Sequence, residues 1–329
     1  MDLGEQMTDV LLDSQAYIGI PLALIGAVLL SIGTQFQHRG VGKVEAAREN
    51  TGTSALSAGQ LKALLVRPSW VFGTLILGLA IVLQLTSLWF APLIVVQPLG
   101  AFALVVTAIM NSRISKVALD APTVRAVLTC VIGIGAFVTV AAFVAHQSPI
   151  DEQQLGAVLV ILAALLAVWG LVFLFVRKRA TPLVYVIAAG TLYGFVATLA
   201  KVVMGRVQTL IASEWKFGVA EWLTILCIVG LAVAALIGMY FVQAAHANGP
   251  PDLVVAGLTV VDPIVAVSIG IIVLGEARGA EWWQIALFIV TGAIAVWGVF
   301  QLSRHHPQMQ SPLDTEALPF KRGSIKSKE

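Results

Sequence analysis

Six side chains within or beside long apolar stretches have the chemistry to hold a small solute: Gln35, Gln84, Gln97, Tyr193, Lys201 and Asp262. An ionisable group in hydrocarbon is costly, so Asp262 and Lys201 are site candidates by default. Asp262 stands directly before Pro263, as Gln97 stands directly before Pro98. Proline has no N–H, so each would leave the carbonyl four residues earlier, Thr259 or Ile94, without its helical donor. A carboxylate or amide beside a freed carbonyl offers several oxygen ligands at one depth, which suits a solute site in a broken helix. The competing reading at both positions is a kinked helix whose Gln or Asp merely bonds a neighbour. Lys201 is expected either to pair with Asp262, as a gate or coupling element, or to reach the outer interface along its aliphatic stem. Arg206, just beyond, is expected to reach that interface. Gln37, His38, Tyr185 and Tyr240 are further polar groups of the same apolar regions.

The frame that must position these groups is a membrane bundle. The chain has 329 residues, of which 58% are hydrophobic and 12% charged, with a mean hydropathy of +0.92. Soluble domains carry about 25% charge. Spans are expected at 17–37, 68–90, 92–111, 123–146, 153–176, 182–205, 220–245, 251–274 and 281–303, each near the roughly 20 residues that cross hydrocarbon. Pro92 divides an apolar run too long for one crossing. The fold class expected is therefore all-α, a polytopic membrane protein of about nine helices.

Charge sets the expected orientation. Lys and Arg in alternate loops and the tail (39–67, 113–125, 177–179 and 304–328) number 16, against 2, Lys216 and Arg278, on the other side; Lys201 and Arg206 complete the 20. Positive residues stay cytoplasmic, which puts the N-terminus outside, the C-terminus inside, and requires an odd helix count. Residues 1–16 hold four acids and no Lys or Arg, so a cleavable signal is not expected there.

A shift of 165 residues lays Val95-Val96-Gln97-Pro98-Leu99 on Val260-Val261-Asp262-Pro263-Ile264, and 17–37 on 182–202. The matched spans run in opposite directions, so the halves are expected to be inverted-topology repeats, a recurrent plan of secondary transporters. The expected divisions are an extracytoplasmic N-terminus (1–16), a first four-helix repeat (17–146), a connecting helix (147–181), a second four-helix repeat (182–304) and a disordered cytoplasmic tail (305–329). Within the first loop, Ser57-Ala58-Gly59-Gln60 has capping-box spacing before Leu61, which predicts a short helix on the inner surface.

The segment Leu88-Trp89-Phe90-Ala91-Pro92-Leu93-Ile94-Val95-Val96-Gln97-Pro98-Leu99-Gly100, with Asp262-Pro263 leading to Leu274-Gly275-Glu276, resembles the EamA-type pattern of the drug/metabolite transporter superfamily. The likeness extends over 17–303. Typical members have ten helices with both ends inside; here one helix of the first half is missing. Nine helices and Arg67-Pro68-Ser69-Trp70…Gly73 are similar to the NIPA branch, a resemblance that implies magnesium transport.

Two solutes follow. With one interior carboxylate set against Lys201, the electrostatics favour a small organic metabolite, drug or lipid precursor moved by alternating access. The alternative is a NIPA-like magnesium or divalent-cation transporter, since Mg²⁺ prefers oxygen ligands with carboxylates among them. No nucleophile–base constellation, metal-ligand spacing or phosphate loop is present, so no enzyme activity, resident metal, cofactor or nucleic-acid partner is expected. The expected partners are the lipid bilayer and a small-molecule or ion substrate, in a multi-pass protein of the cell membrane, with room for a homodimer.

The remaining features have structural readings. Cys130 and Cys227 are expected as buried thiols and His305-His306 as a solvated pair. Glu276, His246, Asp120 and Glu221 fall at helix ends, where an interfacial role is expected, as do Trp70, Trp89, Trp222, Trp282 and Trp283. Gly190-x-x-x-Gly194 and the glycines at 19, 26 and 33 predict close helix packing.

Overall fold

In hydrocarbon every backbone N–H and C=O must be satisfied inside its own segment, so apolar stretches of this length fold as helices. The computed structural model describes residues 3–46, 65–116, 118–147, 149–176, 181–212 and 220–304. The helices are α1 (Leu3–Ala46), α2 (Pro68–Phe90), α3 (Leu93–Gly100), α4 (Phe102–Ser115), α5 (Ala121–Val144), α6 (Glu152–Val176), α7 (Pro182–Ala212), α8 (Ala220–Asn248), α9 (Pro251–Ile272) and α10 (Trp282–Arg304). Among the described residues nine segments are long and apolar enough to cross a membrane, α3 and α4 together making the third, Leu93–Ile114. The capping-box segment at 57–60, Lys216, and the tail with His305-His306 lie outside the described residues.

Helix ends depart from the expected ones where hydropathy and backbone propensity part company. α1 starts at Leu3 and runs to Ala46, well past both edges of its apolar run, and neither flank holds a proline to stop it. α7 continues to Ala212, carrying Arg206 as part of the helix. The third span is divided. α2 ends at Ala91, which with Pro92 is extended (φ −133°, ψ 152° and φ −59°, ψ 151°). At Pro98 the ladder tightens, and the Ala101 N–H donates to the Pro98 carbonyl at 3.2 Å. α3 is thus an eight-residue rod bounded by the Ala91-Pro92 corner and the turn at Ala101. It is apolar on every face apart from Gln97, and every residue from Leu93 to Leu99 is buried. The break expected at each proline is absent at the proline itself: α3 is continuous through Pro98 and is interrupted only at Ala101, and α9 is continuous through Pro263.

Glycine sets the tightest packing. A Cβ on Gly73 would stand 2.8 Å from the Gly33 carbonyl oxygen, so α1 and α2 meet backbone to backbone. On α5, a Cβ at Gly133 would stand 2.6 Å from the Ala295 Cα of α10. Gly190 and Gly194 of α7 face Val261 and Val265 of α9, as the GxxxG spacing predicts. Lipid tails are as apolar as these side chains, so such close van der Waals contact, rather than hydrophobic burial, holds the bundle. The core lies around α3, with Cys130 and Cys227 buried. α6 sits at the rim and leaves Val160, Leu171, Leu174 and Phe175 exposed.

Candidate functional site

A cavity of about 430 Å³ lies between α1, α2, α3, α7 and α9. Four of the six candidate residues line it: Gln84 from α2, Gln97 from α3, Tyr193 from α7 and Asp262 from α9. They arrive there for different reasons. Gln97 is carried on the buried rod. Tyr193 belongs to the helical stripe 193, 196, 197 and 200 that walls the cavity, and its ring backs on Gly238 of α8. Asp262 is set by the α7–α9 crossing: a Cβ on Gly194 would stand 3.0 Å from the Asp262 carbonyl oxygen, and one on Gly190 3.5 Å from its nitrogen.

Asp262 is the one carboxylate among the residues that line the cavity. Its Oδ1 is buried and has no hydrogen-bond partner among the described residues, and the Tyr193 phenol lies within reach of its charge. Thr259, whose carbonyl loses its helical donor to Pro263, also lines the cavity, while its hydroxyl donates to the Val255 carbonyl at 2.8 Å. A carboxylate, two amide side chains, a phenol and a backbone carbonyl make a set of hard oxygen donors around a space that could hold a hydrated ion or a small polar solute.

Two candidates are elsewhere. Gln35 donates to Asn111 Oδ1 at 2.5 Å, and Ser31 bonds Thr107 at 2.7 Å. Together they form a polar seam between α1 and α4, and Gln35 is not among the residues that line the cavity. Lys201 neither pairs with Asp262 nor extends to the interface. It is buried, and its Nζ donates to the carbonyls of Leu88 at 2.8 Å and Ala91 at 2.9 Å, buried acceptors left without helical donors at the end of α2. Arg206 does not reach out either: it is buried, with Glu221 of α8 at 3.6 Å.

Glu276 is the residue that sequence reasoning misplaced. Instead of lying at an interface it is buried, and its two oxygens accept from the first amides of α3, Leu93 N–H at 2.7 Å and Ile94 N–H at 2.8 Å. Gly275, at φ +70°, supplies the left-handed residue that turns the chain back into the bundle after α9. Burial pushes the Glu276 carboxyl above the ordinary carboxylate range, while the Lys201 charge and the two amides act against that rise. The Leu-Gly-Glu tripeptide was the available signal; its loop position concealed the burial. Asp120 is a helix cap, accepting from the Thr123 N–H at 3.2 Å.

Among the described residues no three His, Cys, Asp or Glu side chains cluster as a metal cage. The profile of the family described as "Magnesium transporter NIPA" matches residues 14–307. An uncharacterized protein of Corynebacterium glutamicum is 26% identical over 274 residues, which cover 83% of this chain and 90% of that protein. No solved structure matches.

Proposed function

Because the chain belongs to the magnesium transporter NIPA family, we propose that its solute is Mg²⁺ or a closely similar divalent cation, held in the central cavity with Asp262 as its counter-charge. Membership makes it a membrane transporter; the ion and the site are the inference. The observation that carries the site is a carboxylate with a buried oxygen, Oδ1, lacking a hydrogen-bond partner among the described residues, on Asp262, which lines a cavity together with Gln84, Gln97 and Tyr193.

Mg²⁺ gives up its water reluctantly and is usually bound through one or two carboxylates with several waters retained. A single carboxylate among neutral oxygen donors suits that habit better than a dry cage. Six waters occupy roughly 180 Å³ at about 30 Å³ each, which the cavity of about 430 Å³ accommodates. The electrostatic objection to a divalent ion was the presence of Lys201. That objection loses its ground, because Lys201 faces the end of α2 and the Glu276 charge rather than Asp262.

The proposal includes alternating access between two inverted four-helix halves, 17–146 and 182–304, joined by 147–181, in the manner of the drug/metabolite superfamily. Supporting it, α1 packs on α2 as α7 packs on α8, and α5 meets α10 across the halves. The charge asymmetry supports an outer N-terminus and a cytoplasmic C-terminus.

Purified protein in liposomes loaded with a Mg²⁺-sensitive dye tests the reading. The expected result is Mg²⁺ entry that Asp262→Asn reduces at least tenfold. Absence of Mg²⁺ flux, with uptake of a labelled organic solute from a metabolite pool, would overturn it in favour of an organic substrate.

A further inference from the structure

The cavity ends where α2 ends. Leu88 and Ala200 line it, and immediately beyond them the Leu88 carbonyl is bonded to Lys201. Around the extended Ala91-Pro92 corner a series of polar contacts joins the first half to the second. Lys201 holds the Leu88 and Ala91 carbonyls, Glu276 holds the Leu93 and Ile94 amides, and Gln208 Nε2 donates to the Trp89 carbonyl at 2.7 Å. The His146 N–H donates to the Glu276 carbonyl at 2.8 Å. Ala91, Leu93 and Ile94 are wholly buried under this arrangement.

We propose that Glu276 and Lys201 are positioning residues that latch the α2–α3 corner and so close one end of the cavity. When the latch lets go, α3 swings between the corner and the turn at Ala101, and the end opens. The need for an end that opens rests on the transport reading; the latch itself rests on the contacts around the corner.

Three features distinguish a latch from a fixed seal. First, buried charges are a costly way to hold a permanent contact, since apolar packing of similar volume is often as stable. Second, each charge here binds backbone groups of the corner, and carbonyls, amides, carboxylate and ammonium can all exchange to water when the end opens. Third, the rod between the two interruptions carries Gln97 into the cavity. Movement of α3 therefore alters the solute ligands at the moment that the end opens. Gly270 provides the clearance: a Cβ there would stand 2.9 Å from both Glu276 Oε2 and Ile94 Cγ2.

The test uses the full chain with Cys130→Ala and Cys227→Ala, carrying Ala200→Cys as a reporter beneath the latch. A membrane-impermeant maleimide is applied to vesicles of each orientation. Glu276→Gln, which cannot accept from both amides as a carboxylate does, is expected to raise labelling severalfold from the face that carries Ala91 and not from the opposite face. Glu276→Asp should lie nearer the parent. Gln208→Ala, which removes one strap without uncovering a charge, gives a smaller rise from the same face and decides the matter if Glu276→Gln does not insert. Unchanged labelling, or an equal rise from both faces, overturns the latch. Labelling requires no solute, so the latch and the Mg²⁺ reading stand or fall separately.

Discussion

Lys201 and Asp262 do not neutralise each other: the Lys201 ammonium donates to the carbonyls of Leu88 and Ala91, and Oδ1 of Asp262 is buried without a hydrogen-bond partner among the described residues. The bundle thus keeps a carboxylate oxygen unpaired on a residue that lines its central cavity, while Lys201 is engaged at the cavity's end. An unpaired buried carboxylate destabilises the structure that holds it. Asp262→Asn should therefore leave the melting temperature in detergent unchanged or raise it, while Mg²⁺ flux falls at least tenfold. A lower melting temperature together with full flux would remove Asp262 from the site.

Binding at that carboxylate should register as stabilisation even without flux. A ligand at about 100 times its Kd stabilises the native state by about 2.7 kcal/mol. Mg²⁺ is expected to raise the melting temperature of the parent and not of Asp262→Asn. Gln84→Ala and Gln97→Ala should shift the Mg²⁺ concentration needed rather than abolish the effect, since each removes one neutral donor from a set of several. Equal thermal shifts in the parent and Asp262→Asn would place the bound ion elsewhere.

The α7–α9 crossing makes a contrasting pair of glycine predictions. At Gly194 a Cβ would stand 2.7 Å from the Val265 Cβ and 3.0 Å from the Asp262 carbonyl oxygen. Overpacking of that kind costs about 1–3 kcal/mol. Gly194→Ala should lower thermal stability and weaken flux by displacing Asp262. Gly170 of α6 has no such neighbour within 4 Å, so Gly170→Ala should be neutral or slightly stabilising, as Ala favours the helix. Melting curves of the two variants, measured side by side, check this.

How far these relationships were legible in the residues depends on their range. Helix positions followed from apolar length, and Gln84, Gln97, Tyr193 and Asp262 were identifiable because polar groups are conspicuous in hydrocarbon. Their convergence on one cavity is a tertiary fact that the proline repeat only hinted at. Gln35 looked the same as Gln97 in one dimension, but its partner, Asn111, is 76 residues away. Both helices absorb their prolines, and the third span is interrupted instead at Ala101, three residues past Pro98. Glu276 was obscured because a charge next to a turn normally faces water; here the turn folds back onto the open amides of α3.

The Lys201–Glu276 relationship admits a quantitative test of its own. Lys201→Met would strand the Leu88 and Ala91 carbonyls and remove the positive charge that opposes the desolvation of Glu276. Each buried carbonyl left without its donor costs about 1–3 kcal/mol, and a loss of stability of that order or somewhat larger is expected. Glu276→Gln alone should also destabilise, since an amide oxygen cannot replace both carboxylate acceptors. In the double variant neither charge remains, so its cost should fall short of the sum of the single costs by about 0.5–3 kcal/mol, the range for residues sharing one network. Denaturation of the four proteins in the same detergent measures the coupling. Strictly additive costs would mean that the two residues hold the corner independently, each through its own backbone bonds.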